Sequence, residues 1–177
     1  MGALLYRAMG ASVFDGSTFE VIEADRKATV QAVIVVLASS LAGAIGASVS
    51  LQPRFLFIAI FVGVAVTAWL CWLQLILLVG SHQFREPATR VDFGELVRTT
   101  GFASAPGILQ LLAVIPSIAA PVFVLTWIWM LAAMVLAVKH ALDIRSTWRA
   151  VMVCGAALGL ILALVVAMTR ALSGRVL

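Results

Sequence analysis

Residues 98–117 read RTTGFASAPGILQLLAVIPS. An arginine, two threonines and a glycine lead into an apolar run that contains Pro106 and ends on Pro116 and Ser117. Proline removes a backbone donor and clashes with the preceding turn, so the interior of a soluble core helix does not carry one. A plain membrane span has no need of one. The stretch lies in an uncharged block, 99–138, about twice the length of a single span.

Composition places that block in a membrane. The chain has 177 residues, 63% hydrophobic and 11% charged, against roughly 25% charged in a soluble domain. Three more uncharged blocks run over 28–53, 55–83 and 150–169. About 20 apolar residues cross a hydrocarbon core of ~30 Å. Pro116 and Pro121 bracket the sequence SIAA, so PSIAAP reads as a turn that divides the long block in two. The expected fold is all-α: a polytopic membrane protein with five transmembrane helices and short interfacial helices. Its third and fourth spans form a Pro-rich hairpin. Both halves of that hairpin are short for a span, and a re-entrant hairpin stays open as the alternative. Residues 1–27 form a cytoplasmic N-terminal segment with an interfacial helix, and 28–177 form the five-span domain.

Charge orients the spans. With the N-terminus inside, Arg54, Arg170 and Arg175 fall outside and the other nine of the twelve Lys and Arg inside. All eight carboxylates fall inside as well. The net charge of +4 is therefore read as orientation, and no nucleic-acid partner is expected. Ser17 and Glu20 have capping-box spacing and start a surface helix with Phe19 and Ile22 on its lipid side. A second surface helix precedes the quoted stretch, with Phe93, Leu96 and Val97 toward lipid and Asp92, Glu95 and Arg98 toward water.

Small residues let spans approach closely in lipid. They recur as Gly155, Gly159, Ala163, Ala167 and Ala171, as Ala133, Ala137 and Ala141, and as Ala38, Ala42 and Gly46 with Ser39 and Gly43 alongside. They are read as contacts of one bundle, with a homo-oligomer seam as the alternative. Trp69, Trp72, Trp127 and Trp129 lie deeper than the interfacial belt. Their indole N–H groups need partners, and Gln31, Thr67, Gln74 and Gln110 are the polar groups at hand. Trp69, Trp72, Gln110 and Trp127 are the candidate lining of a pocket for a lipid or quinone-like molecule.

No ionisable residue lies mid-span, which argues against ion-coupled transport and intramembrane proteolysis. There is no Walker loop and no GxGxxG. His82 and His140 stand alone, so no metal and no cofactor are expected. The remaining candidate site is the inner rim. Glu95, Arg98 and Lys139 would meet Asp143, Arg145 and Arg149 there, with Glu20, Glu23 and Asp25 nearby, as a docking surface for a protein partner or lipid headgroups.

Gly101-Phe102-Ala103-Ser104-Ala105-Pro106 resembles the GYxxxP motif of the Yip family of Ypt/Rab-interacting membrane proteins, with Phe102 where tyrosine is usual. FEVIEADRKATVQA, GELVRTTGFASAPGIL, WMLAAMVLAVKHALD and WRAV are similar to segments of its bacterial members. The resemblance implies a non-catalytic protein with five spans and a cytoplasmic N-terminus, here in a bacterial inner membrane with the C-terminus outside. The family's DLYGP element has no counterpart in residues 1–27, so Rab binding is not carried over. Two functions are expected in order: a scaffold or accessory subunit in membrane organisation that docks partners at its cytoplasmic face, then a protein that binds or moves a hydrophobic ligand in its Trp-lined interior.

Overall fold

The computed structural model describes residues 2–49, 54–83, 92–144 and 146–173. They form seven α-helices: α1 (Gly2–Ser12), α2 (Gly16–Ala24), α3 (Ala28–Ala47), α4 (Arg54–Gln83), α5 (Phe93–Ala103), α6 (Ala119–Ala141) and α7 (Thr147–Ser173). Between α5 and α6 the chain runs as 3-10 helix over Ala105–Val114 and again over Pro116–Ile118. Among the described residues three stretches, of the five expected, are long and apolar enough to cross a membrane: Ala28–Ala47, Arg54–Gly80 and Pro116–Ala141, with mean hydropathy 2.0, 2.4 and 2.3. The described part of α7 contributes a shorter apolar stretch, Thr147–Ile161.

The quoted segment supplies the middle of the fold. α5 leads into ten residues of 3-10 helix, a form that seldom exceeds four residues. Pro106 stands in its first turn, where a missing N–H leaves nothing unpaired. Side chains three apart eclipse in this geometry. Ser104, Gly107, Gln110 and Ala113 are accordingly buried, while Ile108, Leu109, Leu111 and Leu112 face outward. The tighter helix also reaches further, about 20 Å for ten residues against about 15 Å as α-helix. At Ile115–Ile118 the chain turns back as PSIAAP suggests, and Gln110 meets Thr126 and Met130 of α6 across the hairpin.

α3 receives this segment along a face of small residues. A Cβ added at Gly46 would collide with the main-chain oxygen of Gln110, and one at Gly107 with the Ser39 hydroxyl. Gly101 lies against Ala32, where a Cβ would come within 2.7 Å of the alanine methyl and 3.1 Å of its carbonyl oxygen. Glycine is needed here for close approach, since no described glycine has a positive φ.

The small-residue stripes are partly reassigned. Ala133, Ala137 and Ala141 are buried as expected, and so are Ser39, Ala42, Gly43 and Gly46, but Ala38 is exposed. On α7 the inward face is Ala150, Val153, Cys154 and Ala157. Gly155 and Gly159 point outward with nothing within 4 Å of a Cβ. Small residues at intervals of four permit a close contact without producing one.

The surface helices also differ from expectation. The cap of α2 is Asp15, which accepts from the Ser17 N–H at 3.1 Å and the Thr18 hydroxyl at 2.5 Å. Phe19 and Ile22 face protein rather than lipid: both are fully buried, with Phe19 clustered beside Ala32, Val35 and Phe102. Leu96 and Val97 of α5 pack likewise on Trp72, Ile76 and Val138. Helix α1, absent from the sequence reading, is apolar on its outer side. Leu5, Tyr6, Met9 and Val13 are exposed, and Arg7 and Ala11 point inward. The guanidinium of Arg7 donates to Asp25 at 2.6 Å and Gln31 at 2.9 Å, so the cation is paired on the protein side.

The α3 seam yields a direct test. Gly46→Ala should destabilise the protein by about 1–3 kcal/mol, because the main chain of Gln110 must move. Gly155→Ala should stay within about 0.5 kcal/mol. Thermal unfolding of both variants in one detergent decides it; equal melting temperatures would remove the seam from the account.

Candidate functional site

Four helices and the 3-10 segment leave a chamber of about 410 Å³ between them. That lies within the roughly 300–1,000 Å³ of small-molecule sites. Val36 and Ser40 of α3 form one wall, Trp69 and Trp72 of α4 a second, and Met130 and Met134 of α6 a third. Ser104 and Gln110 line it from the quoted segment, and Leu158 and Ile161 from α7. All four sequence-designated pocket residues, Trp69, Trp72, Gln110 and Trp127, lie on its lining. No charged side chain does, among the described residues. Val64, Trp127 and Leu131 of the lining are exposed, so the chamber is reached from the side of the bundle.

The indoles find other partners than the sequence suggests. Trp69 Nε1 donates to the Thr100 hydroxyl at 3.3 Å, and Trp129 Nε1 to the Ser12 carbonyl at 2.7 Å. The Gln110 amide nitrogen donates to the Thr126 hydroxyl at 3.2 Å, Gln31 is taken by Arg7, and Thr67 bonds its own helix at the Gly63 carbonyl. Trp72 is 8% exposed, and its buried Nε1 has no acceptor among the described residues.

At one end of the bundle α2, α5 and the end of α6 meet. α6 stops at Asp143, whose φ of 49° places it in the left-handed region. Aspartate tolerates that conformation, and the Ile144 N–H closes the helix on the Lys139 carbonyl at 2.9 Å. Ile144 thereby turns into the core while Asp143 stays exposed. His140 stacks on Phe19 with ring centroids 5.7 Å apart. Arg98 departs most from expectation. It is 4% exposed, and its Nε and Nη2 donate to the Glu23 carbonyl at 3.1 and 2.7 Å. A buried cation thus sits on the negative end of α2 and is withdrawn from any external partner.

Of the rim residues, Asp143 and Arg149 are exposed, Glu95 and Lys139 are half-buried, and Arg145 lies outside the described residues. Burial pushes the Glu23 carboxyl up to about 7; Glu95 and Asp143 add to the effect and Arg98 opposes it. Burial, with Asp92 adding, also raises Glu95. Asp25 goes the other way, held below the usual carboxylate range by the Arg7 hydrogen bond and the Lys27 N–H.

The Glu23 shift carries a sign. A carboxyl raised from 4.5 to about 7 on folding binds its proton more tightly in the folded state. Its contribution is full below the ordinary value and is lost as pH climbs through the folded one. Melting temperature should therefore fall between about pH 5 and pH 8, and Glu23→Gln should flatten the fall, gaining on the parent only at the alkaline end. A variant with the parent's slope would show that Glu23 does not titrate there.

The Yip1 domain family matches residues 10–168, which takes in both the chamber and the rim. No curated protein and no solved structure matches the chain. Members of the family are generally non-catalytic membrane trafficking proteins. With a match over most of its length, and three apolar helices long enough to span a bilayer among the described residues, the chain is an integral membrane protein that belongs to the Yip1 domain family.

Proposed function

We propose that this protein holds a lipid or other hydrophobic molecule in its central chamber. The observation that carries the reading is the chamber itself, about 410 Å³ walled by apolar side chains. The chamber is open along one edge, so its apolar lining meets whatever fills it from outside. Water is a poor filler, because each buried molecule needs two to four polar partners and the polar groups on this lining are few and mostly bonded to protein. An apolar molecule from the surrounding bilayer covers that lining, and the exposed edge at Val64, Trp127 and Leu131 gives it a way in.

A second reading, a scaffold that docks a protein partner at the cytoplasmic face, is favoured by the rim. α2, α5 and α6 gather Glu20, Glu23, Glu95 and Asp143 at one end. One purification in mild detergent separates the two readings. Lipid at a fixed ratio, lost in Ala65→Phe and kept in Ala59→Phe, supports the chamber; Ala65 lines it and Ala59 does not. A stoichiometric protein partner without bound lipid supports the rim.

We further propose five crossings in a bacterial inner membrane, with the N-terminus cytoplasmic. The charge asymmetry supports this, as does the reach of the 3-10 segment, which lengthens a third span too short as α-helix. A tag on Leu177 should then be accessible only from outside. Labelling from the same side as Met1 would reduce the hairpin to a re-entrant one.

A further inference from the structure

We propose that the outer face of α1 is covered by lipid acyl chains, the helix being embedded in the leaflet on the rim side of the bilayer. The inference is independent of the chamber and rests on α6 crossing the membrane. Leu5, Tyr6, Met9 and Val13 form one apolar face, each of them 60% exposed or more. The neighbours of α1 set the depth of that face. Trp129 stands in the middle of the apolar stretch Pro116–Ala141 and donates to the Ser12 carbonyl at 2.7 Å. From Trp129 to Lys139 the helix advances about 15 Å at ~1.5 Å per residue, much further than an indole reaches. Ser12 therefore lies well below the level of the rim. Leu4 and Ala8 agree, packed on the cluster that contains Ala105 of the 3-10 segment and Ala133 of α6.

α2 marks the level above. Phe19 stacks on His140 at the end of α6, and a Cβ at Gly16 would lie 3.4 Å from the His140 ring. The chain turns from one level to the other at Phe14, whose φ of 64° is left-handed, and Gly10 lies against the Thr18 side chain. α2 carries Glu20 and Glu23, whereas α1 carries Arg7 as its one charge. That charge is turned back to Asp25 at 2.6 Å and to Gln31 in the first turn of α3, which leaves the outer face without any.

Hydrocarbon also requires that backbone polar groups be satisfied within the protein. The last four carbonyls of a helix have no partner inside it. In α1 all four find one. Met9 accepts from the Val13 N–H at 3.0 Å, Gly10 from the Asp15 N–H at 3.0 Å, Ala11 from the Phe14 N–H at 3.3 Å and Ser12 from Trp129. A helix end in water needs no indole for its last carbonyl. The Trp129 bond lies at the surface, one turn from the exposed Leu125. There the face of α1 adjoins the outward side of a span at the same depth, and acyl chains are what that side meets.

The test uses the full chain in vesicles of a phosphatidylcholine with a diazirine in mid-acyl chain. Crosslinks on the parent protein are mapped by peptide mass spectrometry. In parallel, Met9→Cys and Glu20→Cys are treated with a membrane-impermeant maleimide on both sides of the bilayer. Both positions are exposed, so neither substitution disturbs the core. Crosslinks should fall on residues 5–13 as they do on Leu125, and α2 should carry none. The maleimide should label Glu20→Cys and leave Met9→Cys unlabelled until the vesicles are dissolved. Labelling of Met9→Cys in intact vesicles overturns the proposal, because the helix then lies in water. Protection of Met9→Cys without crosslinks on α1 overturns it in favour of a protein cover, a second copy or a partner. If either variant fails to fold, the parent decides alone: crosslinks on residues 5–13 sustain the proposal and their absence ends it.

Discussion

Contact of main chain against main chain, between α3 and the 3-10 helix, is the constraint on which the rest of this structure depends. Lipid tails are as apolar as leucine, so burying carbon gives helices in a bilayer little reason to associate. What remains is dispersion at close range and a few polar contacts. Gly46 allows α3 to come against the Gln110 main chain, Gly107 takes the Ser39 side chain, and Gly101 takes Ala32. A ten-residue 3-10 helix has poor hydrogen-bond geometry and would relax to α-helix if free. Packing must therefore hold it, and its eclipsed rows are suited to being held. Ser104, Gly107, Gln110 and Ala113 form one narrow inward edge, and the leucines on either side face outward.

The motif at the centre follows from that contact. Gly101 is small because Ala32 lies against it, Phe102 fills the core between α2 and α3, and Pro106 opens the tighter helix without leaving an unpaired donor. The same geometry produces the chamber. Ser104 and Gln110 form part of its lining from the 3-10 edge, and the tryptophans of α4 stand across from them. α4 buries few side chains, chiefly Trp72, Leu73 and Ile76, so it meets the bundle along a short seam. Beside that seam the wall is made by large side chains reaching inward rather than by helices in contact.

Much of this was legible in the sequence, and the exceptions have physical causes. The long apolar blocks stand out because charge is excluded from hydrocarbon; five spans were expected from them, and three helices among the described residues are long and apolar enough to cross. Trp69, Trp72, Gln110 and Trp127 could be grouped as side chains with a polar group deep in apolar runs, although Trp127 itself is exposed. The 3-10 helix was not legible: the run from Ala105 is apolar on every side, so no polar face reveals a period of three rather than 3.6. Arg98 was placed in water because its acceptor is the main-chain carbonyl of Glu23, which no side-chain pattern records. Gly155 and Gly159 misled for the opposite reason, since spacing shows where a contact is permitted and not where it is made. The exposed apolar side of α1 was within reach, as Leu5, Met9 and Val13 recur at helical spacing, but Arg7 interrupts the apolar patch. The arginine is the inward residue.

The chamber and the rim, although far apart in chemistry, share α5. Arg98 grips the end of α2. One turn of the same helix also carries Thr100, which accepts from Trp69 at 3.3 Å and donates to the Leu96 carbonyl at 2.6 Å. Gly101 and Ser104 follow, the first against α3 and the second on the chamber lining. The hydroxyl of Thr100 is thus fixed by its own helix, and it passes that rigidity to an indole on the wall. Arg98 gains no carboxylate partner within salt-bridge distance among the described residues; its charge is met by the dipole of α2 instead. Burial, with Glu95 and Asp143 adding to it and Arg98 opposing, is why Glu23 holds its proton near neutrality. Losing that proton adds charge beside the α2–α5 junction, next to Glu95 and Asp143.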